Sequence, residues 1–180
     1  MHPRIREVVD HLDARRTELR SAVDEVPITL RAIRPAPDRW SVSDVLEHLA
    51  IIDGRVAMMF TAKVDAARAG GLAAELDTTP IMPTFDFSIL LDRTRAVAAP
   101  PQLHPRQDRD PAAAWSALES ARAQLRSAVL AADGLALATL SQPHPVLGVL
   151  NLYQWIASVG SHEARHTAQI REIASTLAAT

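Results

Sequence analysis

Four stretches of the chain repeat apolar residues every three or four positions, the spacing of a helix that buries one face. They cover residues 3–26, 41–71, 110–134 and 151 to the end of the sequence. No stretch alternates apolar and polar residues in the manner of a β-strand. Because each helix has one apolar side, the four can bury those sides only against one another. The pattern therefore predicts an all-α fold, a four-helix bundle.

Several helix ends carry their own signals. Ser41 and Asp44 have the spacing of a capping box, and Trp40 and Val45 occupy the two positions of a hydrophobic staple. Pro27 ends the first helix, since proline cannot continue the hydrogen-bonding pattern. Asn151 and Gln154 have the same spacing before the last helix. These signals predict that the second helix begins immediately after Ser41 and the last immediately after Asn151.

The connection between the second and third helices, residues 72–110, is long and interrupted by five prolines. A connection of this length in a bundle is typical of a crossover or of a functional segment. Residues 86–97 could form a short helix or lid within it, and His104 is predicted to lie in a loop. With no linker or internal repeat, we expect a single domain over residues 1–180.

Composition restricts the classes of function. The net charge of −2 supplies no basic field for nucleic acid, so we expect no nucleic-acid partner. The chain has no cysteine, which excludes disulfides, thiolate metal sites and a cysteine nucleophile. The N-terminus lacks the apolar core of a signal peptide, and no apolar run is long enough to span a membrane. We therefore expect a cytoplasmic protein.

Three histidines lie on apolar faces. His162 and His166 are four residues apart and continue the apolar face of the last helix. His48 lies three residues after Val45 and four before Ile52, so it also faces inward. A buried imidazole is usually hydrogen-bonded within the core, but an inward pair with a third on another helix favours a metal ion. We predict a metal site at His48, His162 and His166.

Three nitrogen ligands leave a position open for water or substrate, as in catalytic metal sites. Zinc suits three imidazoles best, and nickel and ferrous iron also accept this ligand type. Glu163 and Asp44 are candidate hydrogen-bond partners for the ligand imidazoles. Glu47 and Asp53 are predicted nearer the flanks of the second helix.

Residues 162–166 also match the H-E-x-x-H pattern of zinc metalloproteases, in which the glutamate is the general base. The extended form of that pattern has a glycine and a third histidine downstream, but Gln169 and Glu172 occupy those positions. Only 14 residues follow His166, which leaves little room for a distant glutamate ligand and its supporting helix. The match therefore weakly supports a metalloprotease.

Three segments resemble the DinB-like (YfiT-like) superfamily of metalloenzymes. They are Trp40-Ser41 through Glu47-His48-Leu49, then His144-Pro145-Val146-Leu147-Gly148, then His162-Glu163-Ala164-Arg165-His166-Thr167-Ala168-Gln169-Ile170. The resemblance implies a four-helix bundle with a long crossover, frequent homodimers, and a divalent metal held by His48, His162 and His166. It also implies a small-molecule substrate, since characterised relatives include S-transferases that use bacillithiol, mycothiol or glutathione and a mycothiol-dependent maleylpyruvate isomerase.

Two classes of function follow. In the first, the metal activates a low-molecular-weight thiol cosubstrate for transfer to an electrophile, or activates water for hydrolysis. In the second, the protein is a non-catalytic stress-response or binding protein whose histidines are core residues. In either class Trp115 and Trp155 are predicted to be core residues, and Arg165 to lie on the solvent side.

Overall fold

Four long α-helices form the bundle, and a short fifth helix lies in the crossover. The computed structural model describes residues 1–94, 99–106 and 110–179. The helices are α1 (Pro3–Asp24), α2 (Val42–Ala69), α3 (Ser88–Leu91), α4 (Pro111–Ala131) and α5 (Leu152–Ala178). The predicted all-α four-helix bundle is therefore confirmed.

The predicted helix starts are present as hydrogen bonds. The Ser41 hydroxyl accepts from the Asp44 amide at 3.1 Å, while the Asp44 carboxylate accepts from the Ser41 amide at 2.9 Å. Asn151 and Gln154 make the same reciprocal pair at the start of α5. These caps satisfy amide groups that a helix cannot pair internally, and so they set where α2 and α5 begin.

The helix directions explain why the crossover is long. Ala74, just after α2, pairs with Leu135, just after α4, so α2 and α4 end side by side and run parallel. The Tyr153 hydroxyl donates to the Leu135 carbonyl at 3.1 Å, and the His2 amide donates to Asp133 at 2.7 Å. Thus α5 and α1 begin where α2 and α4 end. The chain leaving α2 must return along the bundle before α4 can start, which confirms the predicted crossover.

The crossover is only partly regular. Within the predicted helix at residues 86–97, the structure has α3 at Ser88–Leu91, and residues 95–97 lie outside the described part of the chain. Two short 3₁₀ turns, Met82–Thr84 and Pro101–Leu103, flank α3. His104 follows the second turn in irregular structure, as predicted.

A β-hairpin precedes α5, where the sequence pattern predicts no strand. Strand β1 (Ser141–His144) pairs antiparallel with β2 (Gly148–Asn151). The Trp155 indole N–H donates to the Gln142 carbonyl at 2.9 Å, which fixes the hairpin to α5. Strands of four residues are too short to show alternation, and Pro143 further weakens the strand signal.

The core consists of two apolar clusters separated by a charged layer. One cluster packs near the start of α1 and α5, and the other packs near the start of α2 and α4. Between them, each long helix contributes one charged residue, and we call this set the charged layer: Arg16, Asp53, Arg122 and Glu163. Asp53 is only 1% exposed and Glu47 only 3%, so their predicted placement near the flanks is wrong. No helix in the described ranges is long and apolar enough to cross a membrane.

Candidate metal centre

The three predicted ligands come together between α2 and α5. One imidazole nitrogen from each of His48, His162 and His166 lies within 4.8 Å of the other two. The Nε2 atoms of His162 and His166 are 3.1 Å apart. His48, from α2, completes the group, with ring centroids 5.3 Å from His162 and 4.9 Å from His166. We call this group the histidine triad.

Hydrogen bonds set the protonation of two of the rings. Nδ1 of His48 lies 2.8 Å from the Leu103 carbonyl, and Nδ1 of His166 lies 2.8 Å from Oε1 of Gln169. Since both oxygens only accept, each Nδ1 must carry the hydrogen. The Nε2 atoms of His48 and His166 are then left as bare acceptors, the form in which an imidazole binds a metal.

The triad fits a divalent metal ion. Metal–nitrogen bonds of about 2.0–2.1 Å in a tetrahedral site place two ligand nitrogens about 3.3 Å apart. The 3.1 Å separation of the His162 and His166 Nε2 atoms is close to that value. In the metal-free protein the Nε2–H of His162 donates to the bare Nε2 of His166, and a metal ion bound by both nitrogens would take the place of that hydrogen. Imidazole nitrogen suits zinc, nickel and iron alike, so the ligand set does not select among them.

Burial keeps the triad neutral. It lowers the pKa of His162 to about 3, with further lowering by His48, His144 and Arg165. The pKa of His166 is also well below its ordinary value, through burial and then through His162 and His48. Burial lowers the pKa of His48 as well. At neutral pH all three imidazoles are therefore in the neutral form, in which one ring nitrogen carries a hydrogen and the other can bind a metal.

Trp40 borders the triad, which the sequence did not indicate. Its ring lies 4.9 Å from that of His48 and 6.3 Å from that of His166, and it meets His104 edge-on at 6.3 Å. As a staple residue it packs on the cluster that contains Val45. Its position immediately before the α2 cap was the available signal, because a staple residue packs at the start of α2 and His48 lies in the second turn of that helix.

The partners that orient the imidazoles are Leu103 and Gln169, not the expected carboxylates. Asp44 accepts two hydrogen bonds from Arg34, at 2.8 and 3.1 Å, in addition to its capping bond. Gln169 lies three residues after His166, one helical turn away, and this spacing could have identified it. The Leu103 contact is made by the main chain, which leaves no trace in the sequence.

Glu163, the other expected partner, faces the interior of the bundle. It is completely buried, and its carboxylate accepts from Arg16 at 2.9 Å and from Arg122 in a shorter contact. Because this carboxylate is completely buried and occupied by two guanidinium groups, it is not placed to act as the general base of a zincin. The structure therefore gives no support to the metalloprotease interpretation of residues 162–166.

Trp155 lies near the start of α5, seven residues before His162, and His144 at the end of β1 packs against it. Their rings pack with centroids 4.6 Å apart, and Nδ1 of His144 accepts from the Val146 and Leu147 amides at 3.2 Å each. Burial lowers the pKa of His144 to about 4. It is therefore neutral at physiological pH, and its Nε2 carries the hydrogen.

Arg165 lies beside the triad but is held by the crossover. Its guanidinium donates to the carbonyls of Leu90 and Asp92, at the end of α3. It is partly exposed, at the edge of the solvent side on which it was predicted to lie. Its contacts fix the crossover against α5.

Comparison with known proteins agrees with this fold and with the order of its segments. The sequence model of the DinB superfamily matches residues 11–170. The uncharacterised protein YuaE of Bacillus subtilis (strain 168) is 30% identical over 141 residues, which cover 78% of this chain and 80% of YuaE. Two solved structures share the fold, each with a TM-score of 0.60. TT2238, a four-helix bundle protein, is 18% identical, and the match covers 93% of this chain and 98% of TT2238. YfiT from Bacillus subtilis is 15% identical, with 97% and 87% covered. The chain belongs to the DinB superfamily.

Proposed function

We propose that this protein is a metal-dependent enzyme whose divalent ion is held by His48, His162 and His166. The observation that carries the proposal is the convergence of one nitrogen from each ring within 4.8 Å. The hydrogen bonds from His48 to Leu103 and from His166 to Gln169 support it, because they leave Nε2 of each ring free to bind. Zinc is the first choice of ion because three histidines with an open position form a common catalytic zinc site, and nickel and iron are the alternatives.

A divalent ion on three neutral imidazoles keeps its full charge and lowers the pKa of a thiol or water molecule that it binds. The chain's own residues supply the rest of the site. Leu103 and Gln169 hold the rings in place, and Trp40 covers the side of the triad that faces the start of α2. Substrate would be a small molecule, since the ligands lie between packed helices and not on a broad surface.

Within this class, we favour transfer of a low-molecular-weight thiol to an electrophile. The chain has no cysteine, so a sulfur nucleophile would arrive with the cosubstrate. A thiol loses its proton far more readily than water does, so thiol transfer depends less on a general base than hydrolysis. Glu163, the residue that would serve as base in a zincin, is held by Arg16 and Arg122.

Hydrolysis is the second candidate. The structurally similar YfiT is described as a probable metal-dependent hydrolase with an unusual four-helix bundle topology. A bound metal ion lowers the pKa of water as it does that of a thiol. Three histidine ligands are also found in hydrolytic zinc enzymes. The two candidates share the metal site and differ only in the nucleophile.

Metal content tests the proposal before any substrate is known. We expect protein purified without an affinity tag to contain about one divalent ion per chain by elemental analysis, and His48→Ala and His162→Ala to lose it. His104→Ala is the matched control, because His104 also contacts Trp40 but lies outside the triad. Wild-type protein that takes up no ion on reconstitution would favour the non-catalytic interpretation, with the histidines as core residues.

The nucleophile is tested by a substrate panel. Metal-loaded protein is assayed with glutathione, mycothiol or bacillithiol plus a chromogenic electrophile, and in parallel with activated esters and amides. Thiol-dependent turnover that chelation abolishes supports transfer, and thiol-independent turnover supports hydrolysis. Turnover that survives both chelation and His162→Ala would contradict both candidates.

A homodimer is proposed alongside this function, on the resemblance to the family alone. Light scattering coupled to size-exclusion chromatography measures the mass directly. A mass of one chain, 19.6 kDa, across the working concentration range would exclude it.

A further inference from the structure

The charged layer connects all four long helices through two arginines. Arg122 of α4 donates from Nε to Asp53 of α2 at 2.8 Å and contacts Glu163 of α5 through Nη2. Its Nη1 also donates to the main-chain carbonyl of Leu12 in α1, at 3.3 Å. One guanidinium therefore bonds to three other helices.

Arg16 of α1 completes the layer. It donates to Glu163 at 2.9 Å, lies 3.5 Å from Asp53, and donates to the more exposed Glu119 at 2.6 Å. Asp53 and Glu163 are 1% and 0% exposed. The positive charges of buried Arg122 and partly buried Arg16 are thus set against the two buried carboxylates.

A buried layer of this kind calls for a role beyond stability. Removing charges from water costs several kcal/mol per ion, and well-packed apolar residues often give equal or greater stability. Buried polar groups are nevertheless used to fix the register of packed helices, because a shifted register leaves them without partners. Here the apolar clusters on either side are mostly aliphatic, and such side chains accept many packing partners, so the clusters alone specify the register less strictly.

The layer acts on the two helices that carry the triad. Asp53 is five residues after His48 on α2, and Glu163 directly follows His162 on α5. The two carboxylates repel each other, since the charge of Glu163 contributes to raising the pKa of Asp53, behind the larger effect of burial. Arg122 lies between them and bonds to both.

We propose that Arg122 is a positioning residue of the metal centre, which bridges Asp53 and Glu163 and so sets the spacing of His48 against His162 and His166. The inference rests on the proposed metal-dependent function, and it concerns residues that make no contact with the ion. Arg122 makes the closer of the two charged links between α2 and α5, since Arg16 bonds Glu163 but lies 3.5 Å from Asp53. The geometry of the triad depends on the spacing of these two helices.

The deciding variant removes the link and keeps the charge balance. Asp53→Leu combined with Arg122→Met detaches α2 from the layer and leaves Arg16 paired with Glu163. We expect the midpoint of thermal unfolding to stay the same or rise, as for other buried ion pairs replaced by apolar residues. We expect the affinity for Co²⁺ or Zn²⁺ to fall about tenfold, and the visible absorption bands of the Co²⁺ protein to shift and broaden.

Two further variants complete the comparison. Asp13→Asn with Arg126→Gln removes an ion pair that also joins α1 to α4 but is exposed, and should leave metal affinity unchanged. Arg122→Lys keeps the charge but cannot bond both carboxylates and the Leu12 carbonyl together, and should give an intermediate loss of affinity. Wild-type affinity and an unchanged Co²⁺ spectrum in the folded double variant would overturn the proposal. If the double variant does not fold, wild-type affinity in Arg122→Lys would overturn it.

The spacing can also be measured without metal. Because the chain has no cysteine, Met58→Cys on α2 and Ser175→Cys on α5 give two unique, exposed sites for spin labels. The distance distribution from pulsed electron resonance should broaden or shift in the double variant relative to the labelled wild type and the Asp13/Arg126 control. An identical distribution would refute the positioning role. Broadening in a protein that binds no metal would instead keep the positioning role and reject the metal-dependent function.

Discussion

The indole of Trp40 and the imidazole of His166 are nearly parallel, with an interplanar angle of 17° and centroids 6.3 Å apart. Trp40 precedes α2, and His166 is on α5, so this contact joins the start of one helix to the middle of another. The same indole is tilted against His48, at 4.9 Å. It is therefore adjacent to two of the three proposed metal ligands.

This contact predicts a fluorescence signal for metal binding. We expect Co²⁺, which quenches a nearby indole, to reduce the tryptophan emission of wild-type protein, and Trp40→Phe to remove most of that quenching. Trp115→Phe is the matched control, because Trp115 packs against Arg20 with 4.6 Å between guanidinium and ring and not against the triad. Equal quenching in the two variants would place the ion away from Trp40.

Gln169 is predicted to tune metal affinity through His166. Gln169→Leu removes the acceptor for the Nδ1–H of His166 and should weaken metal binding about tenfold, measured by competition with a chromogenic chelator. Gln169→Glu keeps an acceptor oxygen and should bind at least as tightly as wild type. Equal affinities in all three proteins would show that the hydrogen bond has no effect on the ion.

Gly160 permits the close packing of α5 on α1. A Cβ at this position would lie 2.5 Å from Cδ2 and Nε2 of His11, too close for any real contact. We expect Gly160→Ala to lower the free energy of unfolding by about 1–3 kcal/mol, measured by urea denaturation. The matched control is Gly54→Ala on α2, where a Cβ meets no atom within 4 Å. This substitution should raise the free energy of unfolding by about 1 kcal/mol, because alanine has the higher helix propensity. A neutral Gly160→Ala would mean that His11 moves aside freely.

Metal-free protein should lose stability as the pH falls. In the unfolded chain a histidine takes up its proton near its ordinary pKa of 6.5, whereas the pKa of folded His162 is about 3. The unfolded state therefore binds more protons throughout the interval between these values. Stability is fully present above about pH 6.5 and falls by up to about 1.4 kcal/mol per pH unit for each such histidine.

The measurement is urea unfolding of chelator-treated protein at about pH 7.5 and about pH 5. His162→Gln should show a smaller loss between the two values, since glutamine does not titrate. Added Zn²⁺ should make the free energy of unfolding depend more strongly on pH, because protons compete with the metal for the imidazoles. A stability that is flat or rises toward low pH would contradict the neutral, buried state of the triad.

The helices and their starting points were predictable because their signals are local. The Ser41 capping box and the Asn151–Gln154 pair each lie within four residues of sequence, and both are present as hydrogen bonds. Prolines and glycines marked the connections in the same way. The hairpin before α5 was missed, since its strands are held by pairing and by the Trp155–Gln142 contact and not by a strand pattern.

The site was predictable only in part. A spacing of four residues placed His162 and His166 on one turn of helix, and periodicity pointed His48 inward. The wrong expectations, Glu163 and Asp44 as partners of the triad, concern residues held by arginines outside their own helices, Arg34 for Asp44 and Arg16 and Arg122 for Glu163. Arg122 lies 41 residues from Glu163, and no spacing rule relates them.

The sequence by itself determined which residues form helices, which faces of those helices are apolar, and that three histidines are on such faces. These properties depend on interactions within a few residues, so periodicity and capping residues report them directly. Only the tertiary structure decided that the three rings meet, that Leu103 and Gln169 orient two of them, and that Arg122 joins the helices that carry them. The physical reason is that helix register and direction follow from how four apolar faces and one buried charged layer are satisfied together, which no single segment encodes.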